Sequence, residues 1–424
     1  MFGLPPIVCE ELATRRRSLR LAVVTETYPP EINGVATSAA RFVEGLRELD
    51  HQIQLVRPRQ GAEDAGAADA GMQQVLVRGV TIPRYPELRI GLPAKRSLER
   101  LWTFRRPDVV HIVTEGPLGW SALQAAAKLR LPVVSDFRTN FHAYSGHYGI
   151  GWLKKPILAY LRKFHNRSLC TLVPTEALRS ELARLGFVRL SVVARGVDTR
   201  RFDPARRDAA LRAQWGAGPD DPVLLHVGRI AAEKNLCTLV AAYEETRRRA
   251  PRARLVLVGE GPMRAELQAR CPRAVFAGRR LGEDLARHFA SADIFLFPSL
   301  TETYGNVTLE AMASGLAVVA FGYAAASEVL EHGASGVVVA YGDDASFVSQ
   351  AAALAIDRAR AAGLGAQARL SAVGRAWGQV VRDLEAVLVA AAQAGAAMPL
   401  ASGNRSGKPL LHGRGLAFRR GQGL

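Results

Sequence analysis

The stretch ADIFLFPSLTETYGNVTLEAMASG, residues 292 to 315, decides how the chain is read. Ile294, Phe295, Leu296 and Phe297 stand in a row, an unalternated apolar run that suits a parallel strand buried on both faces. A polar loop with Gly305 follows, and a helix is expected to start at Asn306-Val307-Thr308. Strand, glycine-bearing loop and helix form a junction that presents unpaired backbone N–H groups and the positive end of a helix dipole. Such a junction suits a phosphate. Two carboxylates, Glu302 and Glu310, flank it. Like charge would hold them off the phosphate, so they suit hydroxyl donors instead. A ligand that carries both phosphates and hydroxyls is a nucleotide sugar.

Outward from this stretch, strands and helices alternate. In the second half, apolar runs recur at Val223 to Val227, Arg254 to Val258, Val275-Phe276, Ala317 to Ala320 and Gly336 to Val339. In the first half they recur at Arg20 to Thr25, Asp108 to Ile112, Leu131 to Ser135, Thr171 to Val173 and Ser191 to Val193. Helical periodicity covers Val35 to Leu49 and about Leu118 to Leu129. Alternation of this kind predicts an α/β fold with doubly wound parallel sheets. Residues 194 to 222 are charged and bear Pro and Gly, so they read as a linker. GAEDAGAADAG, residues 61 to 71, reads as an exposed mobile loop.

At 424 residues the chain exceeds one ordinary core, and two Rossmann-like domains are expected. The expected division is an N-terminal extension over 1–19, a first domain over 20–200, a second over 201–392 and a disordered basic tail over 393–424. No apolar run reaches the length of a membrane span. Residues 1 to 18 lack the order of a signal peptide, because Glu10 and Glu11 stand where its apolar segment would be. The four cysteines are far apart and form no CxxC pair, which fits reduced thiols in a cytoplasmic protein and argues against a metal cluster. The net charge of +17 has two readings: surplus Arg spread over solvated faces, or a polyanionic partner. Nucleic acid is disfavoured as that partner, since no recognised motif appears and no aromatics interleave the basic residues.

The carboxyl ends of the second-half strands carry ligand-suited loops. Arg229 and Lys234, in GRIAAEKN, follow one strand and could neutralise a diphosphate without a metal. Gly259 and Gly261, in VGEGP, follow the next and allow close backbone approach. AGRR, with Arg279, follows a third. A lone loop charge or glycine pair is common in a chain this basic, and it is the convergence of four such edges that carries weight.

Taken together, TETYPPEINGVAT, the DVVH strand, RGVDTRRF, GRIAAEKN, GEGP and ETYGNVTLEAMASG resemble the family-4 retaining glycosyltransferases over about Arg20 to Leu388. The bacterial GDP-mannose-dependent α-mannosyltransferases are the nearest in flavour. The resemblance implies two facing Rossmann-like domains with a cleft between them, the GT-B architecture, with the last helix crossing back to the first domain. It implies transfer of a hexose, mannose in the first instance, from a nucleotide diphosphate sugar to a lipid or glycan acceptor with retention, by metal-independent front-face displacement and without a cofactor. Gly34 would admit the donor phosphates, Arg229 and Lys234 would hold the diphosphate, and Glu302 the sugar. Glu310 would bind the ribose, backbone groups of Asn306, Val307 and Thr308 the sugar and phosphate, and the region of Arg279 the base. One departure concerns catalysis. Many relatives carry a His where Arg138 stands, and Arg138 cannot accept a proton. His142, four residues on, is a substitute candidate, while a plain surface histidine is the bland reading for it and for His147.

The segment GWLKKPILAYLRKFHNR, residues 151 to 167, mixes apolar residues with basic ones and has no acid. Trp152, Lys154, Lys155, Arg162 and Lys163 would suit an anionic membrane surface, giving peripheral attachment to the inner membrane face. The alternative is a domain helix with its apolar stripe buried. Two other functions stay open beside the mannosyltransferase reading: a glycolipid synthase using a UDP-sugar, of glucosyl-, galactosyl- or sulfoquinovosyl-diacylglycerol type, and a non-catalytic nucleotide-sugar-binding protein.

Overall fold

The computed structural model describes residues 18–397, apart from 32, 62, 67, 70, 83–84, 139–153 and 303. The first sheet is built from β1 (Arg20–Val24), β2 (Gln52–Pro58), β3 (Ala68–Asp69), β4 (Met72–Val77), β7 (Val109–Ile112), β8 (Val133–Asp136), β9 (Cys170–Val173) and β10 (Leu190–Val192). Its order is β10-β9-β8-β7-β1-β2-β4-β3, parallel throughout except for β3 on β4. A hairpin of β5 (Gly79–Ile82) and β6 (Tyr85–Gly91) stands beside it. The second sheet holds β11 (Val223–Val227), β12 (Arg254–Val258), β13 (Val275–Gly278), β14 (Ile294–Phe297), β15 (Ala317–Phe321) and β16 (Val337–Val339). Its order is β13-β12-β11-β14-β15-β16, all parallel. The expected α/β fold with two parallel sheets is what the chain adopts.

The central strands are buried on both faces, because helices cover both sides of each sheet. Every residue of β11 and β14 is buried. One face of β11 packs Val223, Leu225 and Val227 with Phe295, Phe297, Leu309 and Met312. The other packs Leu224 with Leu296, Leu239 and Phe347. The first sheet repeats the arrangement around β1, with Leu21 and Val23 on one side and Ala22 and Val24 on the other.

Two expectations are corrected. Residues 194–222 are no free linker: Val197, Phe202, Leu211 and Trp215 are buried in the second sheet's core, and Arg212 is buried among carbonyls and Asp293. The charges that suggested a linker cap and brace this segment. Nor are all the described residues of the stretch 61 to 71 loose. It contains β3, and Asp64 accepts two hydrogen bonds from Arg57 at 2.6 and 2.9 Å.

The final helix, Trp377–Ala396, leaves the second sheet and packs on the first. Val380, Val381, Leu384 and Leu388 lie against Phe42, Val43 and Leu46. Burying each such side chain is worth about 1.5–3 kcal/mol. Beneath them His51 Nε2 and Glu385 Oε1 meet at 3.1 Å. Val197 N–H donates to the Arg375 carbonyl at 3.2 Å, so the two chain crossings between the sheets run side by side.

Candidate active site

The helix Asn306–Ala313 starts from Gly305, which has φ +92°. A Cβ there would press on the Phe297 ring, at 3.2 Å, so glycine is required both by backbone conformation and by space. Among the described residues no side chain caps this helix. Thr308 N–H closes onto the Gly305 carbonyl at 3.1 Å, and the Thr308 side chain is buried. Among the described residues, the first-turn donors that remain for an anion are therefore those of Asn306 and Val307.

The short helical turn Ala232–Lys234, after β11, brings Lys234 to this junction. Its ammonium contacts Glu302, and Ser299 Oγ donates to the same carboxylate oxygen at 2.9 Å. Both side chains of the pair are 13% exposed. Lys234 Nζ also lies 5.8 Å from the centre of the Phe297 ring. Two residues that were expected to act separately thus hold each other. Arg229 is gripped by Glu233, with Nε at 3.1 Å from Oε1. Glu233 was not singled out from the sequence; its place four residues after Arg229 was the available signal.

Gly259 and Gly261 are needed for a different reason than ligand approach alone. A Cβ at Gly259 would overlap the Gly228 carbonyl oxygen, and one at Gly261 the Ile230 carbonyl oxygen. These glycines let the loop after β12 lie directly on the loop that carries Arg229. Arg279 is exposed just past β13. Glu310 is half-buried and has no hydrogen-bond or ion-pair partner among the described residues. Burial pushes its carboxyl up to about 7, against the pull of Arg201.

The facing wall belongs to the first sheet. Asn33 Oδ1 caps the helix Gly34–Glu48 by accepting from Val35 N–H at 3.0 Å and Ala36 N–H at 2.8 Å. A Cβ on Gly34 would stand 3.5 Å from Asn306 Nδ2, so the two walls meet there. Arg195, buried and not chosen from the sequence beyond its place in RGVDTRRF, ties them together. Its Nη1 donates to the Gly34 carbonyl at 3.3 Å and to Ser38 Oγ at 3.0 Å, while its own carbonyl accepts from Tyr304 OH at 3.3 Å. Burial, and then the charge of Arg138, bring its guanidinium down to about 9.

Arg138 does not extend freely into the cleft. Its Nε and Nη2 donate to Asp136 Oδ2 at 2.7 and 2.5 Å, and its guanidinium lies 4.7 Å from the centre of the Phe42 ring. Burial raises the Asp136 carboxyl, but Arg138 and His111 outweigh it and hold the group at about 2. Glu115, past the end of β7, is another buried acid the sequence reading passed over. Burial pushes it up to about 8, and its Oε1 has no hydrogen-bond partner among the described residues. His142, His147 and Trp152 lie outside the described residues, as does the chain from 398 on.

The helix Lys154–His165 turns its apolar stripe inward. Leu161 is buried with Phe137, Leu182 and Phe187, and Ile157 and Leu158 pack against that cluster. Phe164 is buried with Leu123 and Leu131. Lys155, Arg162 and Lys163 are exposed. Much of the expected apolar membrane face is therefore a domain core, and those basic residues and Tyr160 are left outside. Among the described residues no helix is long and apolar enough to cross a membrane.

Residues 32–201 match the family described as Glycosyltransferase Family 4, and residues 221–357 match Glycosyl transferases group 1. A GDP-mannose-dependent alpha-mannosyltransferase of Mycobacterium tuberculosis is 34% identical over 370 residues, covering 86% of this chain and 95% of that one. A sulfoquinovosyl transferase of Arabidopsis thaliana is 31% identical over 323 residues, 74% of this chain and 61% of that one. In fold, the chain is similar to sucrose-phosphate synthase from Thermosynechococcus elongatus, with a TM-score of 0.74, 19% identity, and coverage of 89% of this chain and 100% of that one. The chain belongs to the family-4, group 1 glycosyltransferases, and is a GT-B hexosyltransferase.

Proposed function

We propose that the protein transfers mannose from GDP-mannose to a hydroxyl of a lipid or glycan acceptor, with retention. The single observation that supports this most is the Lys234–Glu302 pair at the uncapped start of the helix Asn306–Ala313, opposite Gly34. A diphosphate set against the N–H groups of Asn306 and Val307 would draw Lys234 from Glu302. The freed carboxylate would then accept hydrogen bonds from the sugar. Arg229 adds a second cation, so the leaving group is stabilised by protein groups and the helix dipole without need of a metal. Glu310 would receive the ribose hydroxyls, and the surroundings of Arg279 the base.

In the reaction the bond from the anomeric carbon to the diphosphate oxygen breaks as the acceptor oxygen bonds to the same face. The acceptor proton passes to the departing phosphate oxygen. Residues 20–200 would supply the acceptor side and 201–392 the donor side. The likeness to a sulfoquinovosyl transferase supports a second reading, a UDP-sugar donor with a glycolipid product. Exposed Lys155, Arg162 and Lys163 support Coulombic contact with an anionic membrane surface in either case.

The test is a donor screen. GDP-mannose, UDP-glucose, UDP-galactose and UDP-sulfoquinovose are each incubated with wild type and with Lys234→Ala, and released nucleotide is measured. The proposal expects GDP release from GDP-mannose by wild type only. Release from a UDP-sugar instead moves the reading to the glycolipid synthases, and release from none defeats both.

A further inference from the structure

Away from the donor junction, β2 and β4 run parallel with Pro58 opposite Val77 as the last residues of both strands. Arg59 and Arg78 are the next residues, at neighbouring carboxyl ends of a parallel sheet, the edge where such sheets bind ligands. Arg59 N–H donates to the Val77 carbonyl at 3.0 Å, which holds the two ends together. Arg89, on β6, reaches the same place, with Nη1 donating to the Arg59 carbonyl at 3.3 Å. The three arginines border a concavity of about 520 Å³ with Leu76, Val77 and Leu92 in its lining.

Among the described residues none of the three pairs with a carboxylate. The contrast with Arg57 is local. Two residues before Arg59, it is buried and spent on Asp64 and Gln74. Three cations around one hollow repel each other unless an anion joins them. The guanidinium fork matches carboxylate and phosphate oxygens, and the apolar lining suits a sugar ring or glycerol carbons.

The hollow is also joined to the donor side. Arg89 N–H and Gln60 Nε2 both donate to Glu31 Oε1, at 3.3 and 2.8 Å. Glu31 Oε2 accepts from Thr27 Oγ1 at 2.5 Å, and Thr27 Oγ1 accepts from Asn33 Nδ2 at 2.7 Å. Asn33 caps the helix that begins with Gly34. One hydrogen-bonded run thus leads from the arginines to the point where the walls of the cleft meet.

We propose that this hollow binds the anionic group of the acceptor, a carboxylate or a phosphate, so that the sugar acceptor is an acidic glycan or glycolipid. The inference rests on the transferase reading for the word acceptor, but not for the anion site. Titration calorimetry at 150 mM salt compares sodium glucuronate with glucose, and glycerol 1-phosphate with glycerol, on the full chain. At least one anion is expected to bind tenfold or more tightly than its neutral partner. Preference for glucuronate indicates an acidic sugar, and preference for glycerol 1-phosphate a phospholipid head group. The triple variant Arg59→Gln, Arg78→Gln, Arg89→Gln is expected to lose the preference, with single Arg78→Gln as the milder form if the triple fails to fold. Lys234→Ala, which removes donor chemistry, is expected to keep it. Equal binding of anion and neutral partner by wild type, or retained preference in the arginine variants, overturns the proposal. Absence of nucleotide release in the donor screen leaves this titration unaffected, so the two readings fail separately.

Discussion

On the second-sheet wall of the cleft, the cations near the donor junction each rest on a carboxylate of their own neighbourhood: Lys234 on Glu302, Arg229 on Glu233. On the first-sheet wall, two arginines are buried as braces, Arg138 on Asp136 and Arg195 on Gly34 and Ser38, while Arg59, Arg78 and Arg89 stand around a hollow without such partners among the described residues. The difference separates three uses of one charge. A cation with an exchangeable carboxylate keeps its position while the site is empty and can be handed to a phosphate. A buried cation fixes geometry. A cation left without a carboxylate at a strand end is prepared for an anion from outside.

The largest expected effect tests the exchangeable pair. Lys234→Ala should lower kcat by about 10²–10³, the size seen when one group that stabilises developing charge is removed. Single-turnover kinetics would read this, and a rate within a factor of two of wild type would mean Lys234 is only a structural partner of Glu302. Next in size is the brace. Arg195→Gln leaves the Gly34 carbonyl and Ser38 without their charged donor, a cost of about 1–3 kcal/mol. It should lower the unfolding midpoint and slow transfer together. Unchanged stability would show that the walls do not depend on this tie.

A third test asks whether Glu310 works as a carboxylate. With its carboxyl pushed up to about 7, donor affinity in wild type should weaken about tenfold as pH falls from 8 to 6, and Glu310→Gln should be flat across that range. The stability of the free protein should move the opposite way. A raised folded-state pKa means that the folded chain holds the proton longer, so stability falls as pH rises from 4.5 through about 7. Glu310→Gln should reduce that slope and leave the part that Glu115, pushed up to about 8, contributes. The smallest expected effect concerns a second contact between the walls. Glu328 accepts hydrogen bonds from the N–H groups of Glu176 and Ala177, at the start of a first-wall helix. Glu328→Gln weakens a charge at a helix N-terminus, worth about 0.3–1 kcal/mol, and should lower Tm by about 1–3 °C without changing donor affinity.

The second half of the chain was the more legible in sequence. Ile294 to Phe297 is β14 to the residue, and Val223 to Val227 is β11, because strands buried on both faces leave unbroken apolar runs. The first half hid β2 and β4 to β6. Gln52 and Gln54 interrupt the apolar pattern of β2, although Ile53 and Leu55 to Pro58 are buried, and Gln73 and Gln74 interrupt β4, where Met72 to Leu76 are only half-buried. Residues 194 to 222 read as a linker because a charged, Pro- and Gly-bearing stretch has no period, although its arginines are bonded to carbonyls and carboxylates that lie 70 or more residues away.

The sequence by itself determined the two parallel sheets, the strand–glycine–helix junction at Asn306, the presence of Arg229, Lys234 and Glu302 at strand ends and that of Glu310 in the helix that follows. These follow from local rules of burial, backbone freedom and helix termini that act within about twenty residues. Only the tertiary structure decided that Lys234 rests on Glu302, that Arg138 turns back to Asp136, that Arg195 joins the walls and that the apolar stripe of Lys154–His165 faces inward. Apart from Arg138, whose partner stands two residues before it, each of those depends on which oppositely charged or apolar group arrives from another part of the chain. In a sequence with net charge +17, one arginine looks like the next until its partner is in place.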